Sequence, residues 1–144
     1  MDIADTIACF RYYAGLADKS HGQSNNHFGT DKLVYTLNQP IGVCGQMYVC
    51  GLGIADNSIP WNYPAQMWGW KVAPALAAGC TIVMKPSELT PLTAMVLCDL
   101  IKEAGFPEGV FNTVPGLGPT TGDAISRHMD IDKVGYLLLQ AQQS

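Results

Sequence analysis

The 144-residue chain carries a formal net charge of −4, and 14% of its residues are charged against 48% hydrophobic. That balance leaves no basic footprint for nucleic acid, and no apolar run approaches the roughly 18 residues of a membrane span. The length suits one compact domain, while a charge content this far below an ordinary soluble domain points to surface that expects a partner, either another chain or the rest of a larger protein.

The predicted elements begin with a helix. Asp2 can cap it, and Ile3, Ile7, Phe10 and Ala14 recur at helical spacing, so residues 3–17 read as an amphipathic helix. Its early acids, with no basic segment ahead of an apolar one, argue against a signal peptide. Residues 21–31 are polar and glycine-bearing, which predicts a loop. Residues 33–35 and 41–44 read as short strands flanking Gln39-Pro40. Residues 47–50 extend or repeat that strand pattern, and 51–58 form a turn-rich connection.

Beyond Pro64, residues 65–78 predict a helix closed by Gly79. Pro74 lacks a donor N–H, so it must kink this helix or mark its real start. Residues 80–84 are a short apolar, partly β-branched run, the pattern of a buried parallel strand. Thr90 can cap the next helix, with Pro91 at its first position. Val96, Leu97, Leu100, Ile101 and Ala104 give that helix a buried face, and Gly105 ends it. A strand at 110–114, a glycine-rich turn at 116–118, a helix at 120–127 and a strand at 133–139 complete the order. Strands alternating with helices predict an α/β fold with parallel pairing and right-handed crossovers. The last residues are polar and expected to fray.

Residue chemistry alone gives a modest signal. Lys85 stands at the carboxyl end of a predicted strand with Glu88 three residues on. Ligands of open α/β sheets bind at such ends, where a lysine can donate to hydroxyl or phosphate oxygens and a carboxylate can accept from ribose hydroxyls. A solvated lysine and a glutamate favouring the next helix N-terminus is an equal reading. Gly116, Gly118 and Gly122 make a GxGxxxG spacing rather than the GxGxxG dinucleotide fingerprint, so a plain turn is the stronger reading. The Asn62 carboxamide could stabilise an oxyanion, although on residue chemistry alone a turn-forming asparagine is the stronger reading. Trp61, Tyr63, Trp68 and Trp70 read as packing. Five dispersed cysteines (Cys9, Cys44, Cys50, Cys80 and Cys98) form no CxxC pair. They predict neither a disulfide scaffold nor a metal site, and place the chain in a reducing, cytoplasmic setting.

A denser pattern runs from Gln39 to Val134. The blocks VCGQ, PWNYP, WKVAPALAAGC, VMKPSE, TPLTA, IKEAGFPEGVFN, VPGLGPTTG and MDIDKV closely resemble the cofactor domain of NAD(P)-dependent aldehyde dehydrogenases, and RYYAGLADKSHGQ resembles the segment before it. The resemblance implies an incomplete Rossmann-like parallel sheet with flanking helices, preceded by a helix and short strands. It divides the chain into an N-terminal helix and strand segment (1–46), an apparent insertion (47–58), a partial dinucleotide-binding domain (59–135) and a divergent tail (136–144). It implies NAD or NADP as cofactor and oxidation of an aldehyde to a carboxylic acid as the family reaction. By resemblance, Asn62 is the oxyanion-hole residue, Trp61 lines the cofactor cleft, Lys85 and Glu88 hold the adenosine ribose, and Gly118 and Pro119 form the turn beside the adenine.

Three departures bear on activity. Residues 47–58 separate two blocks that the family joins almost directly. After MDIDKV the chain reads GYLLLQAQQS in place of the family's Phe-Thr-Gly-Ser turn. The family's cysteine nucleophile and glutamate base have no counterpart in this sequence. The expectation is therefore a chain inactive alone, or a non-catalytic module that self-associates or pairs with full-length homologues through strands like those of 33–44.

Overall fold

A computed structural model describes residues 1–27, 29, 31–48 and 63–137. Four helices are α1 (Asp2–Leu16), α2 (Pro64–Ala77), α3 (Pro91–Glu103) and α4 (Asp123–Arg127). Six strands are β1 (Ser24–Asn25), β2 (Val34–Tyr35), β3 (Val43–Tyr48), β4 (Thr81–Lys85), β5 (Phe111–Thr113) and β6 (Lys133–Leu137). β3 to β6 form one parallel sheet in the order β5-β4-β3-β6. The chain thus steps outward from β3 through β4 to β5, then returns to the other side of β3. Its order reverses between β3 and β6, the arrangement of a doubly wound α/β sheet.

Both long helices of the sheet end by the same device. Gly79 and Gly105 take φ of 78° and 85°, a left-handed conformation that costs glycine nothing. The Cys80 N–H then reaches Ala75 O at 2.9 Å and the Gly79 N–H reaches Leu76 O at 3.0 Å. Phe106 and Gly105 repeat the pair on Ile101 O and Lys102 O. These bonds satisfy the last carbonyls and turn the chain back into the sheet. Pro74 neither starts α2 nor breaks it, because it lies inside one continuous helix.

One apolar core joins Cys44, Ile82 and Met84 of the sheet to Trp68, Val72 and Ala75 of α2 and Ala94 and Ile101 of α3. Trp68 stacks on Phe10 at 5.6 Å and meets Phe111 edge-on at 5.5 Å, which bears out its reading as packing. α4 covers the opposite face, where Ile125 and Ile131 leave no room for a side chain at Gly45.

Several expectations are corrected. α1 packs on α2 through Thr6 and Phe10, and Gly69 lets the helices approach: a Cβ there would stand 3.0 Å from Thr6 Cγ2. Ile3 and Ile7 remain exposed. On α3 the buried row is Ala94, Leu97 and Ile101, leaving Val96, Leu100 and Ala104 exposed. The 21–31 segment contains β1, which pairs antiparallel with β2. β3, assigned from sequence partly to an N-terminal segment, lies inside the main sheet; Met47 and Tyr48 extend it, as the strand pattern from sequence had it. The rest of the apparent insertion, residues 49–58, lies outside the described residues.

Candidate functional site

β4 ends at Lys85, whose side chain points to the α4 face and is fully buried. Its ammonium donates to Pro86 O at 3.0 Å and to Glu88 Oε2 at 3.0 Å. A short turn makes this pairing possible. The Thr90 N–H bonds Ser87 O and the Leu89 N–H bonds the Ser87 hydroxyl, both at 3.3 Å, so the chain folds Glu88 back over the strand end. The Glu88 side chain keeps 27% of its surface exposed, leaving carboxylate lone pairs free to accept from a ligand.

The second wall comes from the turn after β5. Leu117 O accepts from the N–H groups of Thr120, Thr121 and Gly122, forming a π-helical turn over Gly118–Gly122. Gly122 lies against the Lys85 stem, since a Cβ there would fall 3.7 Å from Lys85 Cδ and 3.8 Å from Met47 Sδ. Partial burial alone would raise the Glu88 carboxyl. Its own backbone N–H, the Lys85 ammonium and the Gly118 N–H more than offset burial and hold the group below the usual carboxylate range. The site is therefore an ionised, partly exposed carboxylate beside a buried ammonium, at the carboxyl end of a parallel strand.

The structure brings together three of the residues singled out from sequence: Lys85, Glu88 and Gly118. Pro119 follows Gly118 on the exposed side of the turn. Trp61 and Asn62 lie outside the described residues. Ser87 and Gly122 complete the site. Gly122 was legible as the last glycine of GxGxxxG, but nothing in that spacing points to a lysine stem. An open groove of about 590 Å³ lies elsewhere, between α1 and α2, lined by Asp5, Cys9, Tyr12, Tyr13, Gln66 and Trp70. It shares no residue with the strand-end constellation, where ion pair and backbone donors converge.

The thiols offer no activated nucleophile among the described residues. Cys44 and Cys80 are buried in the core. Burial pushes the Cys9 thiol up, and burial with the neighbouring Cys80 thiol does the same to Cys44. A nucleophilic cysteine needs the opposite shift.

Comparison with known proteins agrees with this architecture. The model of the aldehyde dehydrogenase family matches residues 1–136. An aldehyde dehydrogenase of Emericella nidulans is 52% identical over 136 residues, covering 94% of this chain and 25% of that protein. Aldehyde dehydrogenase 1A1 of Mus musculus is 53% identical over 135 residues, with 94% and 25% coverage. Among solved structures, the NAD+ complex of aldehyde dehydrogenase from Bacillus cereus superposes with a TM-score of 0.83 at 47% identity, over 94% of this chain and 25% of that one. PnpE of Pseudomonas sp. WBC-3 in complex with nicotinamide adenine dinucleotide gives 0.83 at 43% identity, with 94% and 26% coverage. The chain belongs to the aldehyde dehydrogenase family, and it spans about a quarter of the length of these relatives.

Proposed function

We propose that this chain carries the adenosine-binding quarter of an NAD(P)-dependent aldehyde dehydrogenase and does not oxidise aldehydes by itself. The observation that carries the reading is the Lys85–Glu88 pair, with the Gly118 turn closing on it at the end of β4. The ionised Glu88 fits a group bearing vicinal hydroxyls, because a carboxylate accepts from both. Lys85 would donate to the same ribose, and Gly118 and Pro119 would flank the adenine. An anionic Glu88 disfavours a 2′-phosphate, so NAD is preferred over NADP. The chemistry the dinucleotide supplies when bound is hydride acceptance.

By resemblance alone, Asn62 would be the oxyanion donor of the family reaction and Trp61 would line the cofactor cleft; both lie outside the described residues. The described thiols give no support for thiohemiacetal formation by this chain alone. Ligand-observed NMR with AMP, NAD and NADP tests the binding half. AMP and NAD should bind in the millimolar range, NADP more weakly, and Glu88→Gln should abolish the discrimination. No AMP binding at millimolar concentration removes the reading. Aldehyde-dependent NAD reduction by the purified chain would overturn its catalytic half.

A second reading, a module that pairs with full-length homologues, rests on the β1–β2 hairpin. Leu33 and Leu37 beside it are 79% and 70% exposed, and apolar patches of this kind mark interaction sites. Co-purification with a tagged full-length relative, lost in a Leu33→Ser/Leu37→Ser variant, would support it. Elution of both proteins as separate species would exclude it.

A further inference from the structure

The open groove between α1 and α2 takes no part in the strand-end site, and helical spacing builds its walls. Asp5, Cys9 and Tyr13 lie four residues apart on α1, with Tyr12 beside them, and Gln66 and Trp70 lie four apart on α2. Residues so spaced share one helix face, and the close approach at Gly69 and Thr6 brings the two faces together. The volume of about 590 Å³ has the size of a small-molecule site, which runs from about 300 to 1,000 Å³.

Three rings and one charge dominate this lining. Tyr12 is 63% and Trp70 53% exposed, so their ring faces are open to a ligand. Tyr12 and Tyr13 stand at 87° with centroids 5.2 Å apart, which makes a corner instead of a flat wall. Asp5 is the one charged residue that lines the groove, and its carboxylate joins no hydrogen bond or ion pair among the described residues. Asp2, by contrast, is engaged by two N–H groups of α2. The Cys9 thiol is turned toward Gly69 O at 3.6 Å, so it is wall and not a reactive group.

We propose that this groove binds a small molecule bearing a methylated quaternary ammonium, its methyl groups on the rings of Tyr12, Tyr13 and Trp70 and its charge facing Asp5. Ring faces carry the negative end of the aromatic quadrupole and attract such a cation. A neutral ligand would cover the Asp5 carboxylate without compensating it, and an anion would be repelled. A primary ammonium keeps three N–H groups in need of acceptors, which ring faces serve poorly. No residue of the groove belongs to the Lys85–Glu88 site, so the proposal does not depend on the dinucleotide reading.

The test compares choline with 3,3-dimethylbutan-1-ol, its neutral isostere, on the isotopically labelled chain at ionic strength held constant with sodium chloride. Choline should shift the Trp70 indole N–H resonance saturably in the millimolar range, and the isostere should bind roughly fivefold or more weakly. Asp5→Asn should lower choline affinity toward that of the isostere and leave the isostere unchanged. Trp70→Leu should weaken choline binding, read on the backbone N–H resonances of Tyr12 and Tyr13. Three results overturn the proposal: no saturable shift with choline, equal affinity for choline and the isostere, or choline binding untouched by Asp5→Asn. The two ligands on the wild-type chain decide the question even if a variant fails to fold.

Discussion

Asp2 is the residue whose loss should do most damage for its position. It opens α1, yet its carboxylate accepts from the N–H groups of Ala65 and Gln66 in the first turn of α2, at 3.1 and 2.6 Å. Among the described residues α2 has no other side-chain cap there: Tyr63 stands at its N-cap without a side-chain bond, and no acid lies in its first turn. Asp2→Ala removes two partly buried hydrogen bonds of roughly 1 kcal/mol each. It also removes the favourable placement of a negative charge at a helix N-terminus, worth about 0.5 kcal/mol. The expected loss is about 2.5 kcal/mol, a large share of the roughly 5–15 kcal/mol that hold an ordinary domain together. Asp2→Asn keeps an acceptor and loses the charge, so it should cost roughly half as much. Urea unfolding followed by tryptophan fluorescence measures both, with the midpoint falling and the m-value unchanged. A change below about 0.3 kcal/mol for Asp2→Ala would show that solvent replaces the cap freely, and the reasoning would fail.

Ile82, fully buried at the centre of the sheet, should cost about 2–5 kcal/mol on truncation to alanine, read by the same unfolding curve. Gly69→Val should part α1 from α2, because even a Cβ presses on Thr6; limited proteolysis would then cut within α1 first, and an unchanged digestion pattern would refute the close-contact argument. Glu88 is held below its ordinary carboxylate range by its hydrogen bonds and Lys85, against the effect of burial. A depressed folded-state acid stabilises fully above its unfolded pKa of about 4.3 and loses that contribution as pH falls through the folded value. Glu88→Gln should therefore flatten the acid limb of the stability profile below about pH 5, and an identical limb in both proteins would remove the claim.

How much of this was legible depended on range along the chain. The α2–β4–α3–β5 stretch could be read because two helical runs around a short apolar run are each closed by glycine, and those glycines are the left-handed residues of the helix ends. The contact face of α1 could not be read. Its stripe of Ile3 and Ile7 is the more apolar one, but the gap at Gly69 on the facing helix selects Thr6 instead. β1 has two residues and no periodicity to detect. At the site, the three-residue spacing of Lys85 and Glu88 was visible locally. The Gly118 N–H that helps ionise Glu88 comes from a turn thirty residues away, and no local pattern reports that closure.

The Lys85–Glu88 pair also separates a structural role from a binding one. Burying an ammonium completely is expensive, and an apolar residue of similar shape is often no worse for stability. Lys85→Met leaves Glu88 partly in water, with its own N–H and that of Gly118 still donating, so the folded state loses little. Glu88→Gln leaves the buried Lys85 ammonium without its carboxylate, the costlier way to break such a pair. If the pair exists for stability, both variants destabilise the chain and neither has a ligand phenotype of its own. If it exists to bind adenosine, Lys85→Met melts close to wild type yet loses AMP binding, while Glu88→Gln melts lower and loses the preference for NAD over NADP. Unfolding midpoints and AMP titrations on the two variants distinguish these outcomes, and a Lys85→Met chain that binds AMP as wild type does would end the case for Lys85 as a ligand donor.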